Sequence, residues 1–179
     1  MGAAGWEAEF VEYFTAQHGA LRRLAYALCG DWHTADDAVQ HTFVQLYRHW
    51  ARVRPASLDA YVRTILVNAV RSQTRRRRRE LTTAEPPDSV APTTDPGLHL
   101  DLRRALARLP RRQREMVVLR HLENLSVSEV AEVLGVAEGT VKSQTARGVE
   151  ALRRFLGEAE AAPGEETRKT WTIQTSANG

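Results

Sequence analysis

Apolar residues recur every three or four positions along most of this chain, a spacing typical of α-helices that bury one face. Four such stripes precede the arginine-rich segment near residue 75. Their apolar positions are Phe10, Val11 and Phe14 in the first, Leu21, Leu24, Ala25 and Leu28 in the second, Val39, Phe43, Leu46 and Trp50 in the third, and Leu58, Tyr61, Val62, Ile65, Leu66 and Ala69 in the fourth. Thr34 with Asp37 predicts the start of the third helix, and Ser57 after Pro55 predicts the start of the fourth. The pattern therefore predicts an N-terminal unit built of four helices.

The C-terminal part of the chain contains a predicted pair of helices separated by a tight turn. Ser126 and Glu129 have capping-box spacing, in which each side chain satisfies a backbone N–H at the start of a helix. Gly135 is suited to the left-handed conformation that commonly ends a helix. Beyond the turn, a second helix has a predicted buried stripe at Val141, Thr145, Gly148, Leu152 and Phe155. This arrangement is typical of a helix-turn-helix.

The outer face of that second helix is polar. It carries Thr140, Lys142, Ser143, Gln144 and Arg147, side chains that can hydrogen-bond base edges and phosphates if the helix enters a major groove. Helical hairpins with basic outer faces also occur in proteins that never meet DNA, so this alternative stays open for the segment alone. The short turn favours the DNA-binding interpretation.

Length and composition limit the classes of protein to consider. A chain of 179 residues has room for one ordinary domain or two small ones, and we expect two. The lone cysteine, Cys29, excludes an internal disulfide and a multi-cysteine zinc site. The chain opens with no charged and then apolar leader and has no run of about 18 apolar residues, so neither secretion nor membrane spanning is supported. We therefore expect a soluble, cytoplasmic protein.

Charge is unevenly distributed, although the formal net charge is only +3. Residues 75–79 are five consecutive arginines, and residues 80–98 contain four prolines and several carboxylates but no lysine or arginine. The proline-rich, acidic composition of residues 80–98 predicts an extended linker. The chain therefore divides into a unit at residues 6–79, an acidic linker at 80–98, a unit at 99–157 and a disordered tail at 158–179. We expect a monomer whose two units move independently. The arginine run is either a solvated helix end or, as a DNA-reading module nearby favours, a phosphate-binding segment.

Catalysis is not supported by the spacing of reactive residues. Asp36, Asp37 and His41 lie about one helical turn apart and could share a metal, but no third or fourth ligand follows at a recognisable spacing. No glycine-rich phosphate loop and no nucleophile–histidine pattern is visible. The sequence thus predicts a protein that is not an enzyme and holds no metal or cofactor. In the tail, Trp171 is either part of a plain disordered segment or the anchor of a docking peptide.

Three motifs resemble those of extracytoplasmic function (ECF) RNA polymerase sigma factors. Residues 35–43, ADDAVQHTF, resemble the AEDLVQETF signature of region 2, and residues 61–68, YVRTILVN, resemble the WLxxIxxN segment after it. Leu109-Pro110, residues 115–122 and the GTVKS run at 139–143 resemble region 4. The likeness extends from residue 10 to about residue 156, and the subgroup resembles the small actinobacterial type often labelled SigE-like. It implies an all-α fold of two small helical domains, sigma region 2 and sigma region 4, joined by the acidic linker.

The resemblance also implies a function and its sites. The chain would bind the beta and beta-prime subunits of core RNA polymerase and direct promoter-specific initiation by melting the minus-ten element and reading the minus-thirty-five element of promoter DNA. The polymerase-binding residues would be Asp36, Asp37, Gln40, His41 and Val44; the minus-ten residues Arg63, Asn68, Arg71, Arg75 and Arg76; and the minus-thirty-five residues Thr140, Lys142, Ser143, Gln144 and Arg147. An anti-sigma factor is a further candidate partner.

Several positions depart from the family pattern or keep two interpretations. His41 stands where the family has glutamate, and Gln144 stands where many members have arginine, which shifts the expected base preference from guanine to adenine. Tyr61 replaces tryptophan and is either core or a stacking platform. Loop 52–57 would receive a flipped base, and the linker would either mimic RNA in the polymerase cleft or act as a spacer. The alternative function is a helix-turn-helix regulator that binds DNA without being a polymerase subunit.

Overall fold

The computed structural model describes residues 3–50, 58–81 and 100–161, and all of its regular elements within these ranges are helical. The α-helices are α1 (Ala3–Cys29), α2 (Trp32–His49), α3 (Leu58–Leu81), α4 (Leu100–Arg108), α5 (Arg111–Val117), α6 (Val127–Leu134) and α7 (Glu138–Ala161). A π-helical turn, Val118–Leu122, continues directly from α5. The predicted all-α class is confirmed. The predicted cap Ser57, loop 52–57, residues 82–98 of the predicted linker and residues 162–179 of the predicted tail lie outside the described residues. Residues 80–81 and 158–161, predicted as linker and disordered tail, are instead the last residues of α3 and α7.

The first helix is longer than the sequence pattern predicts. The apolar stripes at residues 10–14 and 21–28 belong to one continuous helix, α1, so the prediction of two helices was wrong. Gly19 lies between the stripes and destabilises a helix by about 1 kcal/mol relative to alanine. This cost is too small to end α1, because α2 and α3 pack against it. The helix ends instead at Gly30, which has a left-handed φ of 78° and donates its N–H to the Tyr26 carbonyl at 2.7 Å.

The N-terminal cap of α2 is Asp31, not the predicted Thr34. The Asp31 carboxylate accepts the Thr34 backbone N–H at 2.8 Å, and the Thr34 side chain is buried. Arg77 of α3 donates to the same carboxylate. Aspartate and threonine both cap helices well, and the sequence alone does not decide which of two candidates three residues apart begins the first turn.

Helix α3 carries part of the predicted core of the N-terminal unit. Val62, Leu66 and Ala69 are buried as predicted, and Tyr61 packs partly buried against the same core. Val67, which lies outside the predicted apolar stripe, is only 1% exposed. The stripe was predicted too narrow because α3 is covered from two sides, by α1 and α2 and also by α6, so its apolar stripe is wider than that of a helix with one neighbour.

The predicted helix-turn-helix is confirmed. The Ser126 side chain accepts the Glu129 N–H at 3.2 Å, and the Glu129 carboxylate accepts the Ser126 N–H at 2.6 Å, so the capping box is complete. Gly135 ends α6 with a φ of 65°, the left-handed conformation that glycine adopts without strain. Helix α7 begins three residues later at Glu138. The turn is therefore as short as the docking motif requires.

Helix α7 buries its predicted stripe against α4, α5 and α6. Val141 is fully buried, and Leu152 is 9% exposed. At Gly148 the two helices α5 and α7 approach so closely that an added Cβ would lie 2.6 Å from Val117 Cγ2. Glycine at this position sets the distance between α7 and the rest of the C-terminal helices.

The N-terminal and C-terminal groups of helices also contact each other. Helix α3 packs against α6, and α1 packs against α4, α5 and the π-helical turn. One hydrophobic cluster runs through both groups. This arrangement differs from the expectation of two units moving independently, because part of each unit's surface is covered by the other.

Within the described ranges, no helix is both long and apolar enough to cross a membrane. In the same part of the chain, no three histidine, cysteine, aspartate or glutamate side chains lie together as a metal site would need.

Candidate polymerase and nucleic-acid interfaces

Helix α2 presents one outer face, formed by Asp36, Asp37, Gln40, His41 and Val44. Its opposite face is buried through Ala35, Ala38, Val39, Thr42, Phe43 and Leu46. Asp36, Gln40, His41 and Val44 are exposed, and Asp37 is half-buried. The structure thus brings all five predicted polymerase-binding residues to one side of one helix. We call this set the α2 face.

Both carboxylates of the α2 face already have partners. Arg22 of α1 makes two contacts with Asp36, one of them from Nη2 at 3.1 Å, and its guanidinium lies over the Trp32 ring at 4.2 Å from the centroid. His33 Nδ1 lies 3.5 Å from the Asp37 carboxylate. These pairs are largely exposed, so each is worth at most about 1 kcal/mol and can exchange with a cationic partner.

Tyr47 neighbours the α2 face but is not among the residues predicted from the sequence. Tyr47 is 46% exposed and follows Val44 by three residues on the same helix. Its ring contacts Trp6 and Phe10 of α1, each with a centroid separation of 5.1 Å, which fixes its orientation. The sequence does contain a signal for Tyr47. Val44 and Tyr47 are an apolar pair three residues apart on the polar side of an amphipathic helix, which is typical of a contact surface.

The five predicted minus-ten residues on α3 fall into two groups. Asn68, Arg75 and Arg76 are exposed. Arg63 and Arg71 instead turn toward the C-terminal helices, where Arg63 Nε donates to Glu123 at 3.0 Å. The structure therefore does not bring all five together on one open surface.

Arg71 is held by a buried carboxylate. Its Nε and Nη2 donate to the two oxygens of Glu115 at 3.0 and 2.8 Å, and Glu115 is only 3% exposed. The hydrogen bonds from this pair raise the pKa of Arg71 above its ordinary value, so the guanidinium stays charged at any physiological pH.

Within the arginine run, Arg77 has a structural role. It donates to the Asp31 carboxylate at the N-cap of α2 and lies 3.4 Å from the Thr34 hydroxyl. Burial alone would raise the pKa of Asp31, but the hydrogen bonds from Thr34 and the charge of Arg77 together hold it below its ordinary value. In this structure, Arg77 therefore contacts a carboxylate of its own chain, whereas its phosphate contact stays a prediction.

The outer face of α7 lies opposite the buried stripe. Lys142, Ser143 and Arg147 are exposed, and Thr140 and Gln144 are half-buried at its border. At 3.6 residues per turn, all but Lys142 fall within about 100° of the helix circumference, and Lys142 lies about 100° beyond Ser143. Ser143 Oγ donates to the Thr140 carbonyl at 3.2 Å. The structure therefore groups four of the five predicted minus-thirty-five residues tightly, with Lys142 at the flank, and we call the five together the α7 face.

Comparison with known proteins identifies the family. Residues 13–80 match the model of sigma-70 region 2, and residues 99–152 match that of sigma-70 region 4. The RNA polymerase sigma-E factor of Streptomyces avermitilis is 36% identical over 161 residues, which cover 86% of this chain and 88% of that protein. The ECF sigma factor SigE of Mycolicibacterium smegmatis is 37% identical over 144 residues, which cover 75% of this chain but only 56% of that protein.

A solved structure agrees in sequence and in fold. The sigma factor RpoE of Bartonella quintana, in complex with the anti-sigma factor NepR, superposes with a TM-score of 0.73 and is 31% identical, covering 83% of this chain and 97% of that chain. Sequence and fold thus lead to the same conclusion: the chain belongs to the extracytoplasmic function family of RNA polymerase sigma factors, the alternative sigma factors that direct transcription initiation.

Proposed function

We propose that this chain binds core RNA polymerase through the α2 face and selects promoters through α3 and the α7 face. The observation that carries the proposal is the order of two sigma-region matches, 13–80 and 99–152, on a chain whose α2 and α7 both present polar faces to solvent. The proposed division is the one given by the sequence: region 2 at residues 6–79, a linker at 80–98, region 4 at 99–157 and a tail at 158–179.

The α2 face is suited to a basic protein surface. Asp36 and Asp37 provide negative charge, Gln40 and His41 provide hydrogen-bonding groups, and Val44 provides apolar contact area. Protein interfaces commonly combine apolar contact area with polar groups at its edge, and this face has both, with the carboxylates at one end and Val44 at the other. We infer that this face docks on the beta-prime subunit, with the beta subunit contributing elsewhere to the bound state.

The minus-ten surface is carried by α3. Asn68, Arg75 and Arg76 are exposed and combine amide and guanidinium donors, which suits phosphates and unstacked bases. Arg63 and Arg71 complete this set when their present carboxylate partners move away. The chain thus contributes positive charge along a helix where a melted strand would lie.

The minus-thirty-five surface is the α7 face. Phosphate contacts from Thr140 and Lys142 set affinity, whereas Ser143, Gln144 and Arg147 reach base edges in the major groove. A bidentate contact from Gln144 favours adenine and contributes roughly 1–3 kcal/mol of discrimination against the wrong base.

The partners and the place of action follow from this role. We propose that the chain is a transcription initiation factor that is not itself an enzyme, that it acts in the cytoplasm where RNA polymerase works, and that an anti-sigma factor regulates it. The RpoE structure supports the last point, because that relative was solved with the anti-sigma factor NepR.

The experiment that tests the proposal compares core-polymerase binding and promoter binding in matched variants. Gln40→Ala with Val44→Ala should weaken binding to core polymerase at least tenfold and leave binding to minus-thirty-five duplex DNA unchanged. Arg147→Ala should weaken binding to minus-thirty-five duplex DNA and leave binding to core polymerase unchanged. The control is Arg153→Ala, which removes an exposed arginine of α7 outside the α7 face. DNA binding by a wild-type chain that never binds core polymerase would overturn the proposal and favour the helix-turn-helix regulator.

A further inference from the structure

The two carboxylates of the α2 face have different kinds of partner. Asp36 accepts two hydrogen bonds from the guanidinium of Arg22, one of them from Nη2 at 3.1 Å. Asp37 lies 3.5 Å from Nδ1 of His33, and within the described part of the chain no arginine or lysine pairs with it. Arginine is charged at every physiological pH, whereas histidine gains and loses its charge near neutrality. The local charge around Asp37 therefore depends on pH, and the charge of the Asp36 pair does not.

Arg22 is held beside Asp36 by a second contact. Its guanidinium lies 4.2 Å from the centroid of the Trp32 ring, and the Trp32 ring stacks on Tyr26 with a centroid separation of 4.0 Å. A cation over an aromatic face is attracted by the electrons of the ring. Arg22 thus has two reasons to stay where it is. Asp37 is consequently the carboxylate of the α2 face that is more available to a cation of a partner protein.

Two histidines flank Asp37 along the helix. His33 precedes it by four residues and His41 follows it by four, and residues at this spacing are neighbours on one side of a helix. The side chain of His33 is 78% exposed, and His41 is exposed as well. Both imidazoles are therefore in contact with solvent and can exchange protons with it. The α2 face contains a carboxylate with an imidazole on the turn before it and another on the turn after it.

The helices that pack against α2 bring arginines and one further histidine to its surroundings. From α1 come Arg22 and His18, whose ring lies 6.1 Å from the ring of Phe43 on α2. From α3 comes Arg77, which donates to Asp31 at the start of α2. The arginines keep their charge at any physiological pH, and His18 can only gain a positive charge on acidification. These neighbours therefore do not oppose the change of charge at His33 and His41.

The change of charge is large for so small a surface. Asp36, Asp37 and Arg22 together carry one negative charge when the histidines are neutral. Histidine is mostly neutral at about pH 7.5 and mostly protonated at about pH 5.5. Two protonated imidazoles beside Asp37 convert the local charge to one positive charge. Since the α2 face is proposed to dock on a basic surface, this conversion replaces attraction by repulsion.

We propose that His33 and His41 make the docking of this chain on core RNA polymerase sensitive to protons. Neutral imidazoles leave Asp37 free to pair with a cation of the polymerase, and protonated imidazoles neutralise Asp37 and repel that cation. The inference rests on the proposed function, because it takes the α2 face as the polymerase-binding surface. Acidification of the cytoplasm then lowers the share of polymerase that carries this chain. Reading of duplex DNA by the α7 face is not part of the effect.

The first test measures the dissociation constant for core polymerase at pH 6.0 and at pH 7.5, at one ionic strength. Wild type should bind roughly fivefold more weakly at pH 6.0, which is the size expected for two added charges at a solvated interface. Because the polymerase also titrates, the quantity to compare is the ratio of the two constants in different variants with the same polymerase. His33→Gln with His41→Gln should reduce this ratio to less than about twofold.

The matched control is His121→Gln, which removes an exposed histidine of the C-terminal half and should keep the wild-type ratio. A second variant, His41→Glu, places a negative charge beside Asp37 at both pH values. It should bind core polymerase more tightly than wild type at pH 6.0, a gain that a damaged protein does not show. Raising the salt concentration from about 0.1 M to about 0.5 M should shrink the wild-type ratio, because exposed charges are then screened.

Two failures are distinguishable. Equal ratios in wild type and in His33→Gln with His41→Gln would overturn the inference, and polymerase binding at both pH values would leave the proposed function standing. Absence of binding to core polymerase by the wild type at either pH would contradict the proposed function and this inference with it. Binding of minus-thirty-five duplex DNA at pH 6.0, measured on the same samples, shows that the chain is folded there.

Discussion

The close approach of α5 and α7 gives a quantitative prediction for Gly148→Ala. The added Cβ would lie 2.6 Å from Val117 Cγ2, far inside the usual 3.5–4.0 Å carbon separation, and 3.3 Å from Gln113 Cβ, slightly inside it. Val117 is 4% exposed and β-branched, so it has little freedom to turn away. Overpacking of this kind costs about 2–3 kcal/mol, and alanine recovers about 1 kcal/mol of helix propensity.

The expected net loss in the free energy of unfolding is therefore about 1–2 kcal/mol, or a fall in Tm of about 2–8 °C. Urea titration and thermal melting monitored by circular dichroism would measure it. The matched control is Gly157→Ala on the same helix, where an added Cβ meets no atom within 4 Å and should leave stability unchanged or slightly higher. Equal stability of Gly148→Ala and Gly157→Ala would refute the reasoning about the helix spacing.

Three further predictions concern single side chains. Ser126→Ala removes the N-cap of α6 and should cost about 1 kcal/mol in urea titration; no change would mean that the capping box does not stabilise the helix. Burial raises the pKa of the Cys29 thiol to about 11, so its alkylation at pH 8 should be roughly 100-fold slower than in the urea-unfolded chain. Equal rates would contradict that burial. The pKa of Asp31 is lowered in the folded state, so this carboxylate stabilises the fold at neutral pH and the stabilisation is lost as pH falls through the folded pKa. The difference in the free energy of unfolding between wild type and Asp31→Asn should therefore shrink between about pH 5 and pH 2. A difference independent of pH would count against the Arg77 pairing.

The sequence predicted the local structure best where one physical signal acted alone. The capping box at Ser126 and the left-handed Gly135 define the helix-turn-helix because both depend on short-range backbone geometry. The helical period also predicted which residues form the α2 face, because the residues on the opposite side of the helix are apolar. Motif resemblance then gave each face a function that periodicity alone does not provide.

The errors arise from long-range packing. Helix α3 has a neighbour, α6, that no pattern in residues 58–81 indicates, and Val67, outside the predicted stripe, is buried. Arg63, Arg71 and Arg77 are indistinguishable from solvated arginines in the sequence, and their carboxylate partners lie 60, 44 and 46 residues away. A charged residue can be assigned to solvent, to DNA or to an ion pair only when its neighbours in space are known.

The most direct test of the account is transcription from a randomised promoter library by core RNA polymerase, with and without this protein, followed by sequencing of the transcript ends. New start sites should appear only with the protein and share two sequence elements. Adenine should be enriched at one minus-thirty-five position, and Gln144→Ala should abolish that enrichment. An unchanged set of start sites, with the protein bound to the DNA, would contradict this account.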